Sequence, residues 1–218
     1  MAEAPGNGVV GVVLAGGQAR RMGGGDKTLK TIGGQPMLAM VIDRLAPQVA
    51  ALAINANGDP ARFAAFNLPV IADTIAGFAG PLAGILAGMG WARANHPDCR
   101  YLASVAGDTP FFPTDLVARL TEGCADAVDT IALAASANGV HPVFGLWPVA
   151  LADDLEEFLT KGDTRKILAF TDAYVRRNVP FDPIEPADGE PVDPFFNINA
   201  PDDVARAEAI VQALRGPA

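Results

Sequence analysis

The chain has few of the residues used in covalent catalysis and structural metal sites. Its 218 residues include two cysteines and two histidines, and Cys99 and Cys124 are 25 positions apart with no CxxC motif. That spacing excludes a disulfide framework and a zinc motif. It is typical of a reducing compartment, so we expect a cytoplasmic protein whose thiols are inert. His96 and His141 are interpreted as structural or solvated residues.

Positive charge is also scarce. The chain carries 16 Lys and Arg residues against 25 Asp and Glu residues, which gives a formal net charge of -9, and only four of its residues are lysine. Such a chain repels a phosphate backbone, so a general nucleic-acid-binding function is excluded. Any polyanion that this protein binds must meet a local basic site.

One uncharged run, residues 75–92, is as long as a membrane span. Five glycines and a proline dilute its hydrophobicity, and neither an aromatic belt nor a basic cluster flanks it. We therefore predict a glycine-rich loop followed by a buried helix, and no membrane partner. The first residues lack the basic and apolar regions of a signal peptide, so residues 1–7 are expected to form a flexible tail.

Hydrophobic residues make up 50% of the chain, which is enough for a large core and excludes general disorder. We expect one domain over residues 1–218. Alternating β and α patterns predict an α/β fold, a doubly wound, mostly parallel sheet with helices on both faces; ligands then bind at the carboxyl edge. The predicted strands are residues 9–14, 50–54, 69–72, 101–106, 130–135 and 143–147. One predicted helix begins near Pro36, and the others cover residues 61–66, 82–94, 114–121, 149–160 and 201–214.

Two common nucleotide-binding motifs do not apply. Gly6, Gly8 and Gly11 match GxGxxG, but they precede and enter the first strand, whereas a dinucleotide fingerprint follows a strand and opens a helix. A P-loop is excluded as well, because Asp26 separates Gly25 from Lys27 where that motif needs an adjacent glycine and lysine.

The strongest pattern is the glycine-rich string LAGGQARRMGGGDK at residues 14–27. Glycines let backbone N–H groups approach phosphate oxygens and permit the positive φ angles of an anion-binding nest. Between residues 16 and 30 there are four cations and one acid, Asp26, so the loop is locally basic in an acidic chain. It is therefore a candidate triphosphate site, the alternative being a solvated surface loop. The four cations are Arg20, Arg21, Lys27 and Lys30.

Polar residues follow three of the predicted strands. Asp108 comes just after residues 101–106, where a carboxylate can hold Mg²⁺ against phosphate oxygens; the alternative is a turn residue before Pro110. Asn55 and Asp73 each follow another strand. Guanine presents adjacent N1–H and N2–H donors, which a carboxylate or amide oxygen can accept. Each of these two side chains is therefore a candidate for contacting the base or the ribose. The alternative for each is a helix-cap or turn residue.

A series of motifs in a fixed order covers nearly the whole chain, from about Val9 to the last predicted helix. These motifs are Leu14-Ala15-Gly16-Gly17, Arg20-Arg21-Met22-Gly23, Asp26-Lys27, Asn55, Asp73, Gly80-Pro81-Leu82-Ala83-Gly84, Gly107-Asp108-Thr109-Pro110 and Asn197-Ile198-Asn199. With its motifs in this order the chain resembles the molybdenum cofactor guanylyltransferase family, which implies a Rossmann-like nucleotidyltransferase fold. The leading string is specific to nucleotidyltransferases, and the later motifs narrow the resemblance to this family.

The resemblance implies Mg²⁺-dependent transfer of GMP from GTP to the terminal phosphate of Mo-molybdopterin, with release of pyrophosphate. It implies that Asp108 binds Mg²⁺, while Lys27 and Arg21 stabilise charge on the leaving group. Apo-molybdoenzymes or a cofactor chaperone are implied as further partners. The nucleotide-binding residues implied by it are Leu14, Ala15, Gly16, Gly17, Lys27, Asn55, Asp73 and Asp108. Those implied on the molybdopterin side are Arg165, Asn197 and Asn199.

The residues agree with this chemistry. A substrate phosphate oxygen is already nucleophilic at neutral pH, so no catalytic triad is needed, and the sequence contains no GxSxG. Three features depart from the family pattern: Thr28, the three-glycine run ending at Gly25, and the proline- and acid-rich stretch 182–193 before Phe195. We expect that stretch to be an exposed loop, and Asn199 has an alternative role as the cap of the last helix.

Two other functions stay open. A molybdenum cofactor cytidylyltransferase resembles this chain, although such enzymes typically carry Leu-Ala-Ala-Gly where residues 14–17 stand. A non-catalytic nucleotide-binding or molybdopterin carrier is the alternative from another functional class.

Overall fold

The buried β-branched run near the start of the chain forms the central strand of a seven-stranded sheet. The computed structural model describes residues 8–16, 26–75, 80–124, 129–186 and 190–215. Its strands are β1 (Val9–Leu14), β2 (Thr31–Ile32), β3 (Gln35–Pro36), β4 (Leu52–Asn55), β5 (Val70–Ile71), β6 (Tyr101–Ala106), β7 (Ile131–Ser136), β8 (Gly139–Pro148) and β9 (Arg176–Pro180). Its α-helices are α1 (Met37–Leu45), α2 (Pro81–Asn95), α3 (Leu116–Gly123), α4 (Ala152–Lys161), α5 (Ile167–Thr171) and α6 (Pro201–Arg215). Short 3-10 helices cover Lys27–Leu29, Ala46–Gln48, Pro60–Phe66 and Val149–Leu151.

The sheet has the order β5-β4-β1-β6-β8-β7-β9. Strand β1 pairs in parallel with β4 on one side and β6 on the other, and β4–β5 and β7–β9 are also parallel. Strand β8 runs antiparallel to both of its neighbours. The predicted mostly parallel, doubly wound α/β sheet is confirmed, and its carboxyl edge is the place where this fold binds ligands.

Alternate residues of β1 enter two different cores, as expected for a strand that helices cover on both faces. Val9 and Val13 pack with residues of α1 and α3, whereas Val10 and Val12 pack with residues of α2 and α4. A third core cluster joins α6 to the β2–β3 hairpin through Ile32, Ile198 and neighbouring apolar side chains. The last helix is thereby fixed beside the segment that carries Lys27.

The uncharged run at residues 75–92 contributes a buried helix, as predicted. Helix α2 begins at Pro81, and all of its residues from 82 to 89 are buried. Gly88 lets the helix lie close to the sheet, because a Cβ atom there would come within 2.8 Å of Leu102 Cδ2. No helix in the described part of the chain is long and apolar enough to cross a membrane.

The GxGxxG match does not form a dinucleotide site. Gly8 lies in a turn with φ of +91° before β1, and Gly11 lies inside β1, where a Cβ atom would come within 2.9 Å of Leu52 Cδ1. Gly6 and the rest of the predicted tail, residues 1–7, lie outside the described residues.

Several elements were missing from the sequence prediction or differ from it. Strand β9, helix α5 and the β2–β3 hairpin were not predicted. The predicted helix at 61–66 is a 3-10 helix, and residues 149–151 form a 3-10 turn ahead of α4. The described part of the acidic stretch is mostly exposed, as predicted, but it also contains a bridge between Ile184 and Val192.

A buried hydrogen-bonded pair links β6 to β8. Trp147 Nε1 donates to Ser104 Oγ at 2.8 Å, and Ser104 Oγ donates to the carbonyl of Val143 at 2.6 Å. Both side chains are fully buried. The serine hydroxyl therefore satisfies one donor and one acceptor inside the core.

We expect Ser104→Ala to lower the free energy of unfolding by about 1–3 kcal/mol, because it leaves the Trp147 donor and the Val143 acceptor unpaired in the core. Urea denaturation followed by tryptophan fluorescence measures this. The control is Thr160→Ala on an exposed turn of α4, for which we expect a change below about 0.5 kcal/mol. Equal losses in the two variants would contradict the assignment.

Candidate active site

The carboxyl ends of the neighbouring strands β4, β1 and β6 lie side by side. In the sheet register Leu14 at the end of β1 is paired with Asn55 on one side and with Ala106 on the other. The chain beyond β6 turns at Gly107, whose N–H donates to the carbonyl of Leu14 at 3.0 Å, and this turn presents Asp108. The predicted nucleotide-binding residues Leu14, Asn55 and Asp108 are therefore brought to one edge.

Lys27 is the centre of the polar contacts at this edge. Its ammonium Nζ forms an ion pair with Asp108 Oδ2 at 2.6 Å and donates to the side-chain oxygens of Asn197, at 3.3 Å, and Asn199. The side chains of Lys27 and Asp108 are 11% and 21% exposed. A lysine has three donors, so these three oxygens satisfy it completely.

The two asparagines are held in place by the backbone around them. The buried residue between them, Ile198, donates its N–H to the carbonyl of Asp108 at 3.0 Å. Asp203 Oδ2 accepts from the N–H groups of Asn199 and Ala200, at 2.8 Å each, at the start of α6. The side chain that accepts hydrogen bonds from the backbone at the start of α6 is thus that of Asp203. The side-chain oxygen of Asn199 contacts Lys27 instead.

This arrangement is suited to binding a cation. One carboxylate oxygen and two amide oxygens converge on a single point, and hard oxygen donors of this kind are the ligands that Mg²⁺ takes. No group of three His, Cys, Asp or Glu side chains that could hold a metal forms within the described ranges. A site with one carboxylate is typical of Mg²⁺ that is also held by substrate phosphates.

Asn55 and Asp73 form a second polar group at the same edge. Asn55 Nδ2 donates to Asp73 Oδ1 at 3.0 Å and to the carbonyl of Ile71 at 3.2 Å. Asn57 Nδ2 donates to the other carboxylate oxygen of Asp73 at 2.7 Å, and Asp73 N donates to Asn57 Oδ1 at 2.9 Å. Two amides thus orient one carboxylate beside the end of β4.

Gly84 allows helix α2 to lie against this second group. A Cβ atom at this position would overlap Asn55 Oδ1 and would come within 2.8 Å of Leu14 Cδ2. Asn55 is itself only 5% exposed. Gly84, the last residue of the GPLAG motif, therefore makes room for the side chain of Asn55, which is hydrogen-bonded to Asp73.

An arginine contacts Asp26, the residue before Lys27, and Asn57 of the second group. Arg62 Nε forms an ion pair with Asp26 Oδ2 at 3.1 Å, and Arg62 Nη2 donates to the carbonyl of Asn57 at 2.5 Å. The sequence prediction missed both Arg62 and Asn57. Asn57 had a usable signal, because it repeats the asparagine of residue 55 two positions later, just past the strand. Arg62 had none.

Not all predicted site residues belong to these groups. Ala15 is buried and donates its N–H to the carbonyl of Asn55 at 2.9 Å, and Gly16 is exposed. Arg165 is exposed in the connection between α4 and α5, which supplies none of the three oxygens around Lys27. Gly17 and Arg21 lie outside the described residues, as do all the other residues from 17 to 25. The roles predicted for all of these residues stay predictions.

Comparisons with known proteins show the family to which the chain belongs. The model of the MobA-like NTP transferase domain matches residues 11–177. The molybdenum cofactor guanylyltransferase of Rhodopseudomonas palustris strain BisB5 is 55% identical over 94% of this chain and 93% of its own length. The enzyme of that name from Mesorhizobium japonicum is 48% identical over 94% of this chain and 97% of its own.

Solved structures share the fold. Molybdopterin-guanine dinucleotide biosynthesis protein A from Archaeoglobus fulgidus superposes with a TM-score of 0.69 at 25% identity, over 93% of this chain and 98% of its own. The 4-diphosphocytidyl-2C-methyl-D-erythritol synthase of Anaerococcus prevotii gives 0.69 at 11% identity over 94% and 96%, which is a likeness of fold alone. The chain belongs to the MobA-like NTP transferases and, among them, to the molybdenum cofactor guanylyltransferase family.

Proposed function

We propose that this protein transfers GMP from GTP to the terminal phosphate of Mo-molybdopterin, forming molybdopterin guanine dinucleotide and pyrophosphate. The observation that carries the proposal is the Lys27–Asp108 pair at the carboxyl edge of the sheet, in a chain 55% identical to a molybdenum cofactor guanylyltransferase. A cation for phosphate oxygens and a carboxylate for a metal ion lie together there. Nucleotidyl transfer needs both.

The group around Asp73 supports recognition of guanine. Guanine offers two adjacent N–H donors, and a carboxylate oxygen retains acceptor capacity after it accepts one hydrogen bond. Asn55 and Asn57 each donate to a different oxygen of Asp73, so the carboxylate is oriented and still able to accept from a base. The backbone of Leu14, Ala15, Gly16 and Gly17, together with Lys27, is proposed to hold the rest of GTP.

The donor set around Lys27 fits Mg²⁺. Asp108 would hold the ion, and the side-chain oxygens of Asn197 and Asn199 are further oxygen donors there once the lysine ammonium moves toward phosphate. When bound, Mg²⁺ would supply neutralisation of the phosphate charge. The same three oxygens cannot serve Lys27 and the ion together, so we infer that Lys27 leaves Asp108 when GTP and the metal bind.

The chain's own residues then position and stabilise the reacting groups. Lys27, and Arg21 from the adjoining loop, are proposed to stabilise the charge that moves onto pyrophosphate. The acceptor phosphate is already ionised, so no side chain has to remove a proton from it. Arg165, Asn197 and Asn199 are proposed to face molybdopterin. Apo-molybdoenzymes or a cofactor chaperone are proposed recipients of the product.

With Mg²⁺, Mo-molybdopterin and equal amounts of all four nucleoside triphosphates, we expect the purified protein to consume GTP and release pyrophosphate. Chromatography of the remaining nucleotides shows which nucleoside triphosphate the protein has consumed. Preferential consumption of CTP would identify a cytidylyltransferase. GTP binding without pyrophosphate release would instead indicate a carrier.

We expect Asp108→Asn to lower turnover by at least about 100-fold while part of the GTP affinity remains, because the amide cannot replace the charge of the metal-binding carboxylate. Steady-state kinetics and calorimetric GTP titration separate the two effects. Asp115→Asn, at an exposed carboxylate before α3, is the matched control with unchanged turnover. Unchanged turnover in Asp108→Asn would remove this residue from the site.

We expect Gly84→Ala to raise the KM for GTP about 10-fold, because the new methyl group displaces Asn55 and loosens its hydrogen bond to Asp73. The matched control is Gly90→Ala in the same helix, where a Cβ atom meets nothing within 4 Å. A KM for GTP that rises equally in the two variants would show that helix α2 does not act through Asn55.

A further inference from the structure

A third polar cluster lies at the β7–β8 hairpin. Asp193 Oδ2 accepts from Ser136 Oγ at 2.7 Å and from Asn138 Nδ2 at 2.5 Å. Ser136 Oγ also contacts His141 Nε2 at 2.7 Å. The side chains of His141 and Asp193 are only 20% and 15% exposed. We define Ser136, Asn138, His141 and Asp193 as the hairpin cluster; none of them has a role in the proposed reaction so far.

The proton positions in this cluster follow from its donors and acceptors. The serine has one proton and gives it to the carboxylate, so Ser136 Oγ must accept from His141 Nε2–H. Burial lowers the pKa of His141 and outweighs the charge of Asp193, which raises it; in the neutral ring the proton then lies on Nε2. For Asp193, burial raises the pKa, but hydrogen bonds from Ser136, Phe195 N–H and Asn138 outweigh burial and leave it below its usual value. The carboxylate is therefore held charged.

Asp193 also shapes the chain that leads to the active site. Its Oδ1 accepts from Phe195 N–H at 2.8 Å, and its backbone carbonyl accepts from Phe196 N–H at 3.0 Å, so residues 193–196 form a closed turn. The ring of Phe195 stacks on His141 with centroids 4.5 Å apart. The turn is thus fastened to the hairpin by its carboxylate and by its aromatic ring.

Asn197 and Asn199 follow this turn directly. The chain is next fixed where Ile198 N–H donates to the carbonyl of Asp108, and then at the start of α6 by Asp203. Both Lys27-binding asparagines therefore lie in a short stretch between the hairpin cluster and α6. Fixing both ends of this stretch limits where the two amide oxygens can lie.

We infer that the hairpin cluster positions Asn197 and Asn199 for GMP transfer, with Ser136, His141 and Asp193 acting as positioning residues. This inference rests on the proposed function. Side chains that hold reacting groups need support from their own neighbours, since a misplacement of about 1 Å far from the reacting atoms can cost about 100-fold in rate. The cluster supplies that support from a strand pair that provides none of the three oxygens bonded to Lys27.

The test compares two substitutions whose side chains have nearly the same size. Ser136→Val removes the hydroxyl group, and Ser136→Thr keeps it. We expect Ser136→Val to lower kcat by about 10-fold to 100-fold and to change the KM for GTP less, and Ser136→Thr to restore most of the rate. Leu155→Ala, in the core cluster under α4, is the control for lost stability and should leave kcat unchanged at temperatures where it is folded.

A double-mutant cycle shows whether Ser136 acts through the asparagines. In an Asn197→Ala/Asn199→Ala background we expect Ser136→Val to change kcat by less than about 2-fold, because the groups that it positions are already gone. If Ser136→Val lowers kcat by the same factor in both backgrounds, or if Leu155→Ala loses as much rate, the cluster is merely structural and the inference is overturned.

Deuterium exchange provides a readout that does not depend on activity. In the ligand-free protein we expect Ser136→Val, but not Ser136→Thr, to raise exchange in residues 194–200 while α6 stays as protected as before. Unchanged exchange in residues 194–200 would overturn the inference. Absence of GMP transfer by the unmodified protein would refute the proposed function, and exchange would still decide whether the cluster positions this stretch.

Discussion

The ion pair between Lys27 and Asp108 is the interaction on which the edge of this sheet depends. It joins a residue just after the glycine-rich loop to a residue just after β6, and the two asparagines before α6 complete the ammonium's hydrogen bonds. Both partners are largely buried, so removing one would leave the other as an uncompensated charge. Three distant parts of the chain are thus held together by one cation.

The same pair constrains how an acidic protein can bind a triphosphate. With a net charge of -9, the chain as a whole repels polyanions, and in the ligand-free structure the charge of Lys27 is already neutralised by Asp108. In our proposal Asp108 would hold a divalent cation, which would offset phosphate charge, and Lys27 would turn from Asp108 to the phosphates. In our proposal, metal and nucleotide therefore assist each other's binding, because each relieves the charge that the other leaves unpaired.

Sequence patterns predicted the parts of this fold that carry a local signal. Strands β1 and β6 are buried apolar runs, and their bounds match the prediction. Strand β9 was missed because its sequence RRNVP is polar, mostly exposed and lies at an edge. The antiparallel direction of β8 follows from the tight β7–β8 hairpin, in which Ser136 is paired with Gly139, whereas the pairing of β8 with β6 joins residues far apart in the sequence and has no local signal.

The site shows the same division between local and long-range information. Lys27, Asp108, Asn55 and Asp73 follow strands or a glycine-rich loop, so residue type and position were enough to select them. What the sequence could not supply is their pairing: Lys27 contacts Asn199 across 172 positions, and Arg62 links Asp26 to Asn57 from a 3-10 helix. The contact between Lys27 and Asn199 requires that α6 has docked on the β2–β3 hairpin. Assembly of the site is therefore coupled to docking of the last helix, because the asparagines immediately before that helix complete the coordination of the lysine.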